Sequence, residues 1–500
     1  VGRGYNTSSE QLLECTNLMI NESVVRISMP EDPKRRRSIW IMAVPCVFLI
    51  GFLIVCLFMM NFETPTIRFP SARNGTDTNA TDPYVLPNGA VFRKRPEVSH
   101  VDCTRLLHND RRYMKKLGKS RPNLVKRRNL NMSCAAIQKR ILPARNPDTG
   151  FPILYARIVY MDYEFLEEQL ATNYAEENVF CFSIDTKASP LFHYQFFSLE
   201  RCLPNVVISK REHEFDSAGH NQNEAHLDCM ATVRERKWEY AMLLQNHDVM
   251  IKTHYEMTEI LKIYGGANDV INIPCPDHRC IDSLEKNLGK LRLCPKNLHG
   301  AEMEKCKASS IQWGKGAIQV ILSRAAVDFV LDEIDVMPLM KQMNDMGYGV
   351  DEQLYQSLQI TPDIRFPGGF HAKCLNNTQH VTRIVQPGKI LYESAGFFYT
   401  SIWHGISNDC PAGKLRHSVC ILGLEDFPLL DETQFVMANK IMPQFDYAIS
   451  SCISELLFNR TRDGATIDKH RNFYENVNAV RYHRERSQPG FDINKFNCEL

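Results

Sequence analysis

Several patterns that would restrict the function are missing from this 500-residue sequence. Charge of one sign is not in excess, because 59 Lys and Arg residues stand beside 58 Asp and Glu residues, and this balance gives no reason to expect a nucleic acid partner. Neither a GxGxxG nor a Walker sequence occurs, so the signatures of dinucleotide and P-loop sites are absent. The sequence also has no internal repeat and no low-complexity tract, and a repeat architecture is therefore not predicted.

A zinc site is not predicted either. The cluster CPDHRC brings Cys275, His278 and Cys280 close together in the sequence. Structural zinc sites add a paired Cys-x-x-Cys or a spaced pair of histidines, and neither accompanies this cluster.

One uncharged apolar segment, residues 39–60, predicts a membrane span. At about 1.5 Å per residue it is long enough to cross a hydrocarbon layer of about 30 Å. A cleaved signal peptide would have a shorter apolar region, and a core helix is rarely apolar on every face. The basic run KRRR at 34–37 precedes the span. Because basic residues favour the cytosolic side, we expect 1–38 to be a cytosolic tail and 61–500 to be lumenal.

Sequons and cysteines agree with this orientation. N-glycosylation sequons follow the span at Asn74, Asn79, Asn131, Asn376 and Asn459, although such triplets also arise by chance. All but three of the 17 cysteines lie after the span. Their even number is typical of disulfides in an oxidising compartment, and their connectivity stays open.

Residues 61–150 are predicted to form a stem. The segment is polar, rich in Pro, Asn and Thr, and carries the basic clusters FRKRP, DRRYMKKLGKSRP and VKRRN. Such clusters are usually solvated, and attraction to anionic glycans or phospholipid is the alternative. We expect the main folded domain to span 151–500.

From residue 151 the hydrophobic pattern becomes that of an α/β domain. FPILYARIVY and NVFCFSID are candidates for buried strands, and DYEFLEEQLATNY between them has helical spacing. Strand, helix and strand in succession predict a parallel βαβ unit. PNVVIS, a helical stretch around NEAHLDCMATVRERK, and WEYAMLLQ continue the alternation. The fold class is therefore α/β with a mostly parallel central sheet.

Two turns that follow predicted strands are candidate nucleotide contacts, because ligands of open α/β sheets bind beyond the carboxyl ends of the strands. Ordinary loops are the alternative. The candidates are Asp185, Thr186 and Lys187 in one turn, and Asn246, Asp248, Lys252 and Thr253 in the other. In the segment WGKGAIQVILSRAAVDFVLDEI, Gly314 and Gly316 could admit a ligand close to the backbone, and Ser323 is expected to cap the following helix.

The segment GYGVDEQLYQSLQ places two adjacent acids, Asp351 and Glu352, at the start of an otherwise uncharged stretch. Carboxylates are common near helix starts because the N-terminal amides and the helix dipole favour negative charge. A carboxylate at such a position is also a candidate general base. The local sequence leaves both interpretations open.

Eight segments of the chain, in this order, resemble the core-2/I-branching β-1,6-N-acetylglucosaminyltransferase family, which also includes peptide O-xylosyltransferases. They are FPILYARIVYMDYEFLEEQL, NVFCFSIDTKAS, DSAGHNQNEAHLDCM, WEYAMLLQNHDVMIKTHYEM, GKGAIQVILSRAAVDFVL, VDEQLYQSLQ, HSVCILGLEDFPLL and FVMANKIMPQFDYAISSCISELLFNRT. The resemblance covers most of residues 151–500.

The resemblance implies a single-pass type II Golgi membrane enzyme with a lumenal catalytic domain of GT-A-like fold. Such an enzyme would transfer N-acetylglucosamine from UDP-GlcNAc, with inversion, to a glycan or glycoprotein hydroxyl in β-1,6 linkage. A xylosyltransferase-like or other UDP-sugar specificity is one alternative. An inactive membrane-anchored protein that binds glycans on the same fold is another, because a fold does not determine a function.

The resemblance also implies roles for individual residues. Glu352 matches the family's catalytic base, and Asp351 is then expected to be the helix N-cap. Lys440 in MANKIMP matches a lysine that binds the donor diphosphate. The second cation maps less cleanly, because His417 occupies the family's arginine position and Arg416 precedes it.

The remaining implied contacts concern the donor and the acceptor. Asp185 resembles a uridine contact, Asp248 and Gly316 are expected on the donor side, and Trp403 resembles an aromatic that faces the acceptor, although a core tryptophan is equally compatible with the sequence. No Asp-x-Asp sequence occurs, and the variant Glu333-Ile334-Asp335 lies on a predicted surface helix. We therefore expect a metal-independent reaction without a cofactor.

Overall fold

The computed structural model describes residues 92–275, 283–377, 410–416 and 419–498. The predicted tail and span, Asn74, Asn79, Trp403 and His417 lie outside these residues. Within the described ranges, no helix is both long and apolar enough to cross a membrane.

The described residues form eleven strands. These are β1 (Ile153–Val159), β2 (Val179–Ile184), β3 (Val206–Ile208), β4 (Tyr240–Leu244), β5 (Val249–Met250), β6 (Ile273–Pro274), β7 (Gly314–Lys315), β8 (Ile321–Ser323), β9 (Leu415–Arg416), β10 (Val419–Cys420) and β11 (Met437–Ala438).

Fifteen α-helices are present in the same described part. They are α1 (Cys103–Leu107), α2 (Arg111–Gly118), α3 (Cys134–Ile141), α4 (Tyr163–Asn173), α5 (Pro190–Cys202), α6 (Gln222–Thr232), α7 (His254–Tyr264), α8 (Gly300–Ala308), α9 (Arg324–Asp332), α10 (Met337–Asn344), α11 (Leu354–Ile360), α12 (Phe427–Glu432), α13 (Tyr447–Arg462), α14 (Arg471–Asn476) and α15 (Asn478–Glu485).

The central sheet has the strand order β3-β2-β1-β4-β8. The first four strands are parallel, with Leu154 opposite Val179 and Ile153 opposite Tyr240, whereas β8 runs antiparallel to β4. Helices α4, α5 and α6 lie between consecutive parallel strands, as crossover connections require. The prediction of an α/β fold with a mostly parallel sheet is confirmed.

Strand β1 has an apolar sequence that is interrupted once, by Arg157. All its residues are buried. Ile153, Tyr155 and Val159 belong to one hydrophobic cluster, and Leu154 and Ala156 belong to a second. Side chains alternate between the two faces of a strand, so this division shows that the sheet is covered on both sides.

Residues 92–150, predicted as part of a stem, fold onto the domain instead. Leu106 and Ile137 are fully buried in the same cluster as β1. The disulfides Cys103–Cys452 and Cys134–Cys202 join this segment to α13 and to the end of α5. The boundary expected at residue 150 is therefore wrong for residues 92–150. A few apolar side chains, widely spaced among charged residues, pack this segment against the domain.

One arginine of each basic cluster forms an ion pair within the chain. Arg95 and Arg127 each lie 3.3 Å from Glu164, which belongs to α4. Arg121 contacts the buried Asp446 at 2.5 Å. These three arginines therefore bind partners within the domain rather than forming a solvated face.

Disulfide bonding follows the prediction from cysteine usage. All thirteen cysteines of the described residues are disulfide-bonded, including Cys275. The pairs wholly within these residues are Cys103–Cys452, Cys134–Cys202, Cys181–Cys229, Cys294–Cys306, Cys374–Cys498 and Cys410–Cys420. Of the CPDHRC cluster, His278 and Cys280 lie outside the described residues.

Candidate functional site

The candidate site lies where β1, β2 and β4 end. Tyr160 follows β1, Asp185 follows β2 and Asn246 lies two residues after β4. The side-chain oxygen of Asn246 accepts hydrogen bonds from the amides of Tyr160 at 2.9 Å and Met161 at 3.3 Å. Because these strands are parallel neighbours, the two predicted turns meet at one edge of the sheet.

Asp185 is buried, and its carboxylate organises the turn after β2. It accepts hydrogen bonds from the amide of Lys187 at 2.8 Å and from the amide of Phe215 at 3.4 Å. The ammonium of Lys187 in turn donates to the carbonyl of Phe215 at 2.5 Å. This network fixes the carboxylate of Asp185 at the edge of the sheet, and its contact with a uridine stays a prediction.

A histidine and an acid that the sequence reasoning missed lie at the same edge. His247 is buried, and its imidazole is 3.5 Å from the carboxylate of Asp162. Burial lowers the pKa of His247, the Asp162 carboxylate opposes this shift, and the charges of Lys440 and Arg416 add to it. Two cations from the C-terminal part of the chain therefore act on one buried ring.

Asp162 remains acidic despite its burial. Burial alone would raise the pKa of its carboxyl group, but hydrogen bonds with His247 and Lys126 outweigh that effect and hold the pKa below its usual value. The ammonium of Lys126 lies 2.8 Å from this carboxylate. Asp162 is thus an ionised group that anchors His247 beside the cations.

Arg416 reaches the end of β1. Burial raises the pKa of Tyr160, and the charge of Arg416 and its hydrogen bond to the phenol oppose this shift. Arg416 is half-buried on β9, where it pairs with Val419 across the hairpin. The structure therefore brings Arg416 to the site, whereas His417 lies outside the described residues.

Lys440 is brought to the site by a short antiparallel pairing. Ala438 on β11 lies opposite Val249 on β5. The next side chain, Asn439, donates a hydrogen bond to the carboxylate of Asp248 at 2.5 Å. The carbonyl of Lys440 accepts from the amide of Leu422 at 3.0 Å. Lys440 is therefore fixed in position by its backbone and by its neighbour.

Asp248 is predicted to contact the donor, but its carboxylate binds side-chain and backbone groups from three segments of the protein. It is fully buried, and its carboxylate accepts hydrogen bonds from Asn439, from Gln319 at 3.1 Å and from the amide of Gln245 at 2.6 Å. The guanidinium of Arg157 donates to its backbone carbonyl at 2.9 Å. A carboxylate engaged in this way holds the site together and has no face directed to a ligand.

Only glycine fits at position 316, because the backbone of another segment lies close to it. A Cβ atom on Gly316 would lie 1.8 Å from the carbonyl oxygen of Ile271. Its amide donates to the backbone carbonyl of Glu352 at 2.9 Å. The close approach is therefore to protein backbone, and the expected ligand contact of Gly316 is replaced by packing between chain segments.

Lys252 and Thr253 also serve the fold. Lys252 is buried and its ammonium donates to the carbonyl of Thr433 at 2.6 Å, and burial lowers its pKa to about 8. Thr253 caps α7 through a reciprocal pair of hydrogen bonds with Glu256. Neither side chain is directed to the candidate site.

Glu352 forms an ion pair that the sequence did not suggest. The ammonium of Lys315 lies 2.7 Å from its carboxylate, with Lys315 9% and Glu352 23% exposed. Glu352 ends a 3₁₀ turn, Val350–Glu352, and α11 begins two residues later. In the sequence, the flanking Gly314 and Gly316 suggested the close approach of a ligand, and no sequence signal identified Lys315 as a partner of Glu352.

Asp351 is not the N-cap of a helix, contrary to expectation. The N-cap position of α11 is Gln353, and no side-chain cap hydrogen bond is formed there. Asp351 is buried in the 3₁₀ turn, where its carboxylate packs against Gly219, so that a Cβ atom on Gly219 would lie 2.2 Å from it.

The predicted cap of α9 is confirmed, since the Ser323 hydroxyl accepts a hydrogen bond from the amide of Ala326 at 3.3 Å.

Groups that could hold a metal ion do not coincide with this site. Among residues 92–275, 283–377, 410–416 and 419–498, one cluster of potential ligands is found, Cys103, Cys452 and Glu455, and its two sulfurs form a disulfide. Asp335 of the Glu333-Ile334-Asp335 variant lies 3.0 Å from Arg292. The two sulfurs are thus bonded to each other, and Asp335 forms an ion pair with Arg292.

Three of the predicted sequons lie in the described residues. Asn131 is exposed, ahead of α3. Asn459 is half-buried within α13, and Thr461 of the same sequon is buried and bonded to Asn146 at 3.1 Å. Asn376 belongs to a 3₁₀ segment, Ala372–Asn377. Asn131 is the most accessible position of the two whose side chains are described.

Comparison with known proteins supports the resemblance seen in the sequence. Residues 153–428, more than half of the chain, match the family described as Core-2/I-Branching enzyme. The human Beta-1,3-galactosyl-O-glycosyl-glycoprotein beta-1,6-N-acetylglucosaminyltransferase is 25% identical over 387 residues, covering 72% of this chain and 85% of its own. The rat enzyme of that name numbered 3 is 24% identical over 332 residues, covering 63% and 70%.

A solved structure was also found. The mannosyltransferase Ktr4p from S. cerevisiae in complex with GDP matches at 14% identity and a TM-score of 0.21, covering 53% of this chain and 77% of its own. Similarity at that level supports no inference about this chain.

Proposed function

The chain belongs to the core-2/I-branching enzyme family, and from this premise we propose that it is an inverting glycosyltransferase. The proposed reaction moves N-acetylglucosamine from UDP-GlcNAc to a hydroxyl of an O-glycan in β-1,6 linkage. The catalytic domain would have a GT-A-like fold. The names of relatives about 25% identical support the sugar and the linkage.

One observation carries the proposal: three hydrogen bonds and two short stretches of chain connect the candidate base with the candidate diphosphate-binding cation. The carbonyl of Glu352 accepts from Gly316, and Gln319, three residues later, donates to Asp248 at 3.1 Å. Asp248 in turn accepts from Asn439, the neighbour of Lys440. A base and a cation held on one rigid frame are what transfer from a sugar diphosphate requires.

In the proposed step, the carboxylate of Glu352 takes the proton of an acceptor hydroxyl. The oxygen of that hydroxyl forms a bond to the anomeric carbon of the donor. The bond from this carbon to the diphosphate breaks on the opposite face, which inverts the configuration and releases UDP. General-base assistance of this kind contributes roughly 10²–10⁴ to the rate.

The negative charge that develops on the diphosphate would be stabilised by Lys440 and Arg416. Both cations act electrostatically on His247 at the carboxyl edge of the sheet, which is where donors of α/β proteins bind. Asp185, at the end of β2, is the proposed contact of the uridine. With two cations in place the reaction needs no divalent metal ion.

We further propose a Golgi location, with residues 39–60 as a single membrane span and the catalytic domain in the lumen. Disulfide bonding of every described cysteine supports an oxidising compartment. The apolar character of 39–60 and the basic run before it support the orientation.

The experiment that tests the proposed activity uses the full chain in detergent with UDP-GlcNAc, UDP-xylose, UDP-glucose and UDP-galactose in separate reactions. Acceptors are Galβ1,3GalNAc and unsubstituted peptides, and both product formation and UDP release are measured. Transfer from UDP-GlcNAc with a β-1,6 linkage in the product is expected. Transfer from another donor would refute the proposed sugar, and glycan binding without any UDP release would refute catalysis.

A further inference from the structure

The turn that carries Glu352 is held by a loop that lies more than 100 residues earlier in the sequence. The carbonyl of Ala218 accepts hydrogen bonds from the amides of Gly349 at 2.7 Å and Val350 at 3.2 Å. The backbone amide of Asn221 also donates a hydrogen bond to the side-chain oxygen of Asn344 at 3.0 Å. We call residues 216–221 the clamp loop and residues 346–352 the catalytic turn.

His220 in the clamp loop bridges the two segments. One ring nitrogen, Nδ1, lies 2.6 Å from the carboxylate of Asp216, and the other, Nε2, lies 2.8 Å from the backbone carbonyl of Met346. An ionised carboxylate and a carbonyl are both acceptors, so each ring nitrogen must carry a hydrogen to form its bond. A neutral imidazole has one N–H and could form only one of the two. The geometry therefore requires an imidazolium.

The surroundings favour that charged form. The carboxylates that act on His220 are Asp216 from its own loop and Asp351 from the catalytic turn. The hydrogen bond with Asp216 is the largest cause that raises the pKa of His220 above 6.5, followed by the bond to Met346. Burial of the side chain, which is 26% exposed, lowers the pKa of His220 but does not outweigh these effects.

The loop and the turn are in close contact. The carboxylate of Asp351 lies against Gly219, where a Cβ atom would be only 2.2 Å from it. Glu352 is the next residue, and its carboxylate must also keep its place beside Lys315. Loss of the bond at Met346 would therefore loosen a turn in which the base has little freedom to move without losing its geometry.

We propose that His220, as an imidazolium, is a positioning residue that fastens the catalytic turn to the clamp loop and so makes the placement of Glu352 depend on pH. The consequence for catalysis rests on the proposed function, whereas the fastening itself does not. A group whose pKa is raised on folding stabilises the folded arrangement fully below its unfolded value. The stabilisation is lost as the pH rises through the raised pKa. The clamp is thus closed at mildly acidic pH and weakens toward alkaline pH.

Hydrogen exchange tests the clamp without reference to activity. The protection factors of the Gly349 and Val350 amides are measured at pH 6 and pH 8.5 in the full chain. The wild-type protein should lose about tenfold in protection at the higher pH, the amount expected for one charge-assisted hydrogen bond. His220→Gln should have the lower protection at both pH values. His220→Arg, which keeps a charge and several donors, should retain protection at both.

A matched control removes an exposed histidine away from the turn. His108 lies at the end of α1 and is exposed, so His108→Gln should leave the exchange of Gly349 and Val350 unchanged. The clamp is refuted if His220→Gln exchanges these two amides as slowly as the wild-type protein at pH 6.

Activity separates this inference from the proposed function. In transfer assays, kcat of His220→Gln should fall about tenfold at pH 6 while KM for the donor stays within a factor of two, and His220→Arg should flatten the alkaline decline of kcat. Exchange data as expected with no transfer by the wild-type protein would refute the proposed function and leave the clamp intact. Transfer with unaltered exchange would refute the clamp alone.

Discussion

The ammonium of Lys315 lies 2.7 Å from the carboxylate of Glu352, and the backbone amide that follows Lys315 donates to the carbonyl of Glu352 at 2.9 Å. A base that must approach an acceptor hydroxyl is thereby held by both its side chain and its main chain. The sequence predicts that a helix N-terminus favours the negative charge of Glu352. Glu352 precedes α11 rather than lying in its first turn, and the positive charge beside it is that of Lys315.

Glu352→Gln should lower kcat by roughly 10²–10⁴, because the amide keeps the size and hydrogen bonding of the side chain but cannot accept a proton. Binding of UDP, measured by calorimetry, should stay within a factor of two. Glu302→Gln is the matched control, because Glu302 is exposed and pairs with Arg365 at 2.8 Å. An unchanged kcat in Glu352→Gln would place the base elsewhere.

Lys315→Met should reduce kcat by about tenfold with little effect on KM for the donor, since the lost charge-assisted bond holds the base and not the nucleotide. Lys315→Arg should recover part of the loss. The double variant Lys315→Met/Glu352→Gln should be no slower than Glu352→Gln alone, because residues that act through one another are not additive. Additive losses would show that Lys315 acts independently of the base.

Asp351→Asn should keep kcat within about tenfold of wild type, because the amide retains the shape that packs against Gly219. The reason differs from the capping role expected from the sequence, since Asp351 caps no helix. A moderate loss of thermal stability is expected, because the negative charge of Asp351, which favours the charged form of His220, is removed. Abolished transfer in Asp351→Asn together with normal transfer in Glu352→Gln would reverse the two assignments.

Transfer should persist in excess EDTA, because Lys440 and Arg416 are proposed to carry the diphosphate charge. Lys440→Ala should then raise KM for the donor at least tenfold while the thermal unfolding midpoint changes by only a few degrees. Lys469→Ala removes an exposed lysine elsewhere as the control. Activity that disappears with the chelator and returns with Mn²⁺ would contradict this mechanism.

Removal of N-linked glycans should increase the electrophoretic mobility of the protein, and Asn131→Gln should remove one of the glycans, because this side chain is exposed. Asn6 and Asn21 also lie in sequons, but the proposed orientation leaves them in the cytosol without glycans. Mass spectrometry of the glycopeptides distinguishes these sites. A glycan on either Asn6 or Asn21 would reverse the orientation.

The sequence by itself determined the class of fold and the family. Apolar segments such as Ile153–Val159, interrupted only by Arg157, are typical of strands covered on both faces. Their alternation with segments of helical spacing predicted the parallel sheet. The family resemblance is confirmed by the match over residues 153–428. Cysteine number predicted disulfide bonding, because thiols in an oxidising compartment tend to be oxidised, whereas the pairs depend on which cysteines the fold brings together.

Only the tertiary structure decided which side chains meet. Lys315 pairs with Glu352, Asp248 is enclosed by Asn439 and Gln319, and Gly316 approaches the backbone of Ile271. Each of these contacts joins segments far apart in the chain, and their geometry depends on how the strands and helices pack rather than on any local periodicity. The free energy of such a contact comes from burial and from partners that local sequence does not specify, so the same aspartate or glycine fits a ligand site and a packed interior equally well until the fold is known.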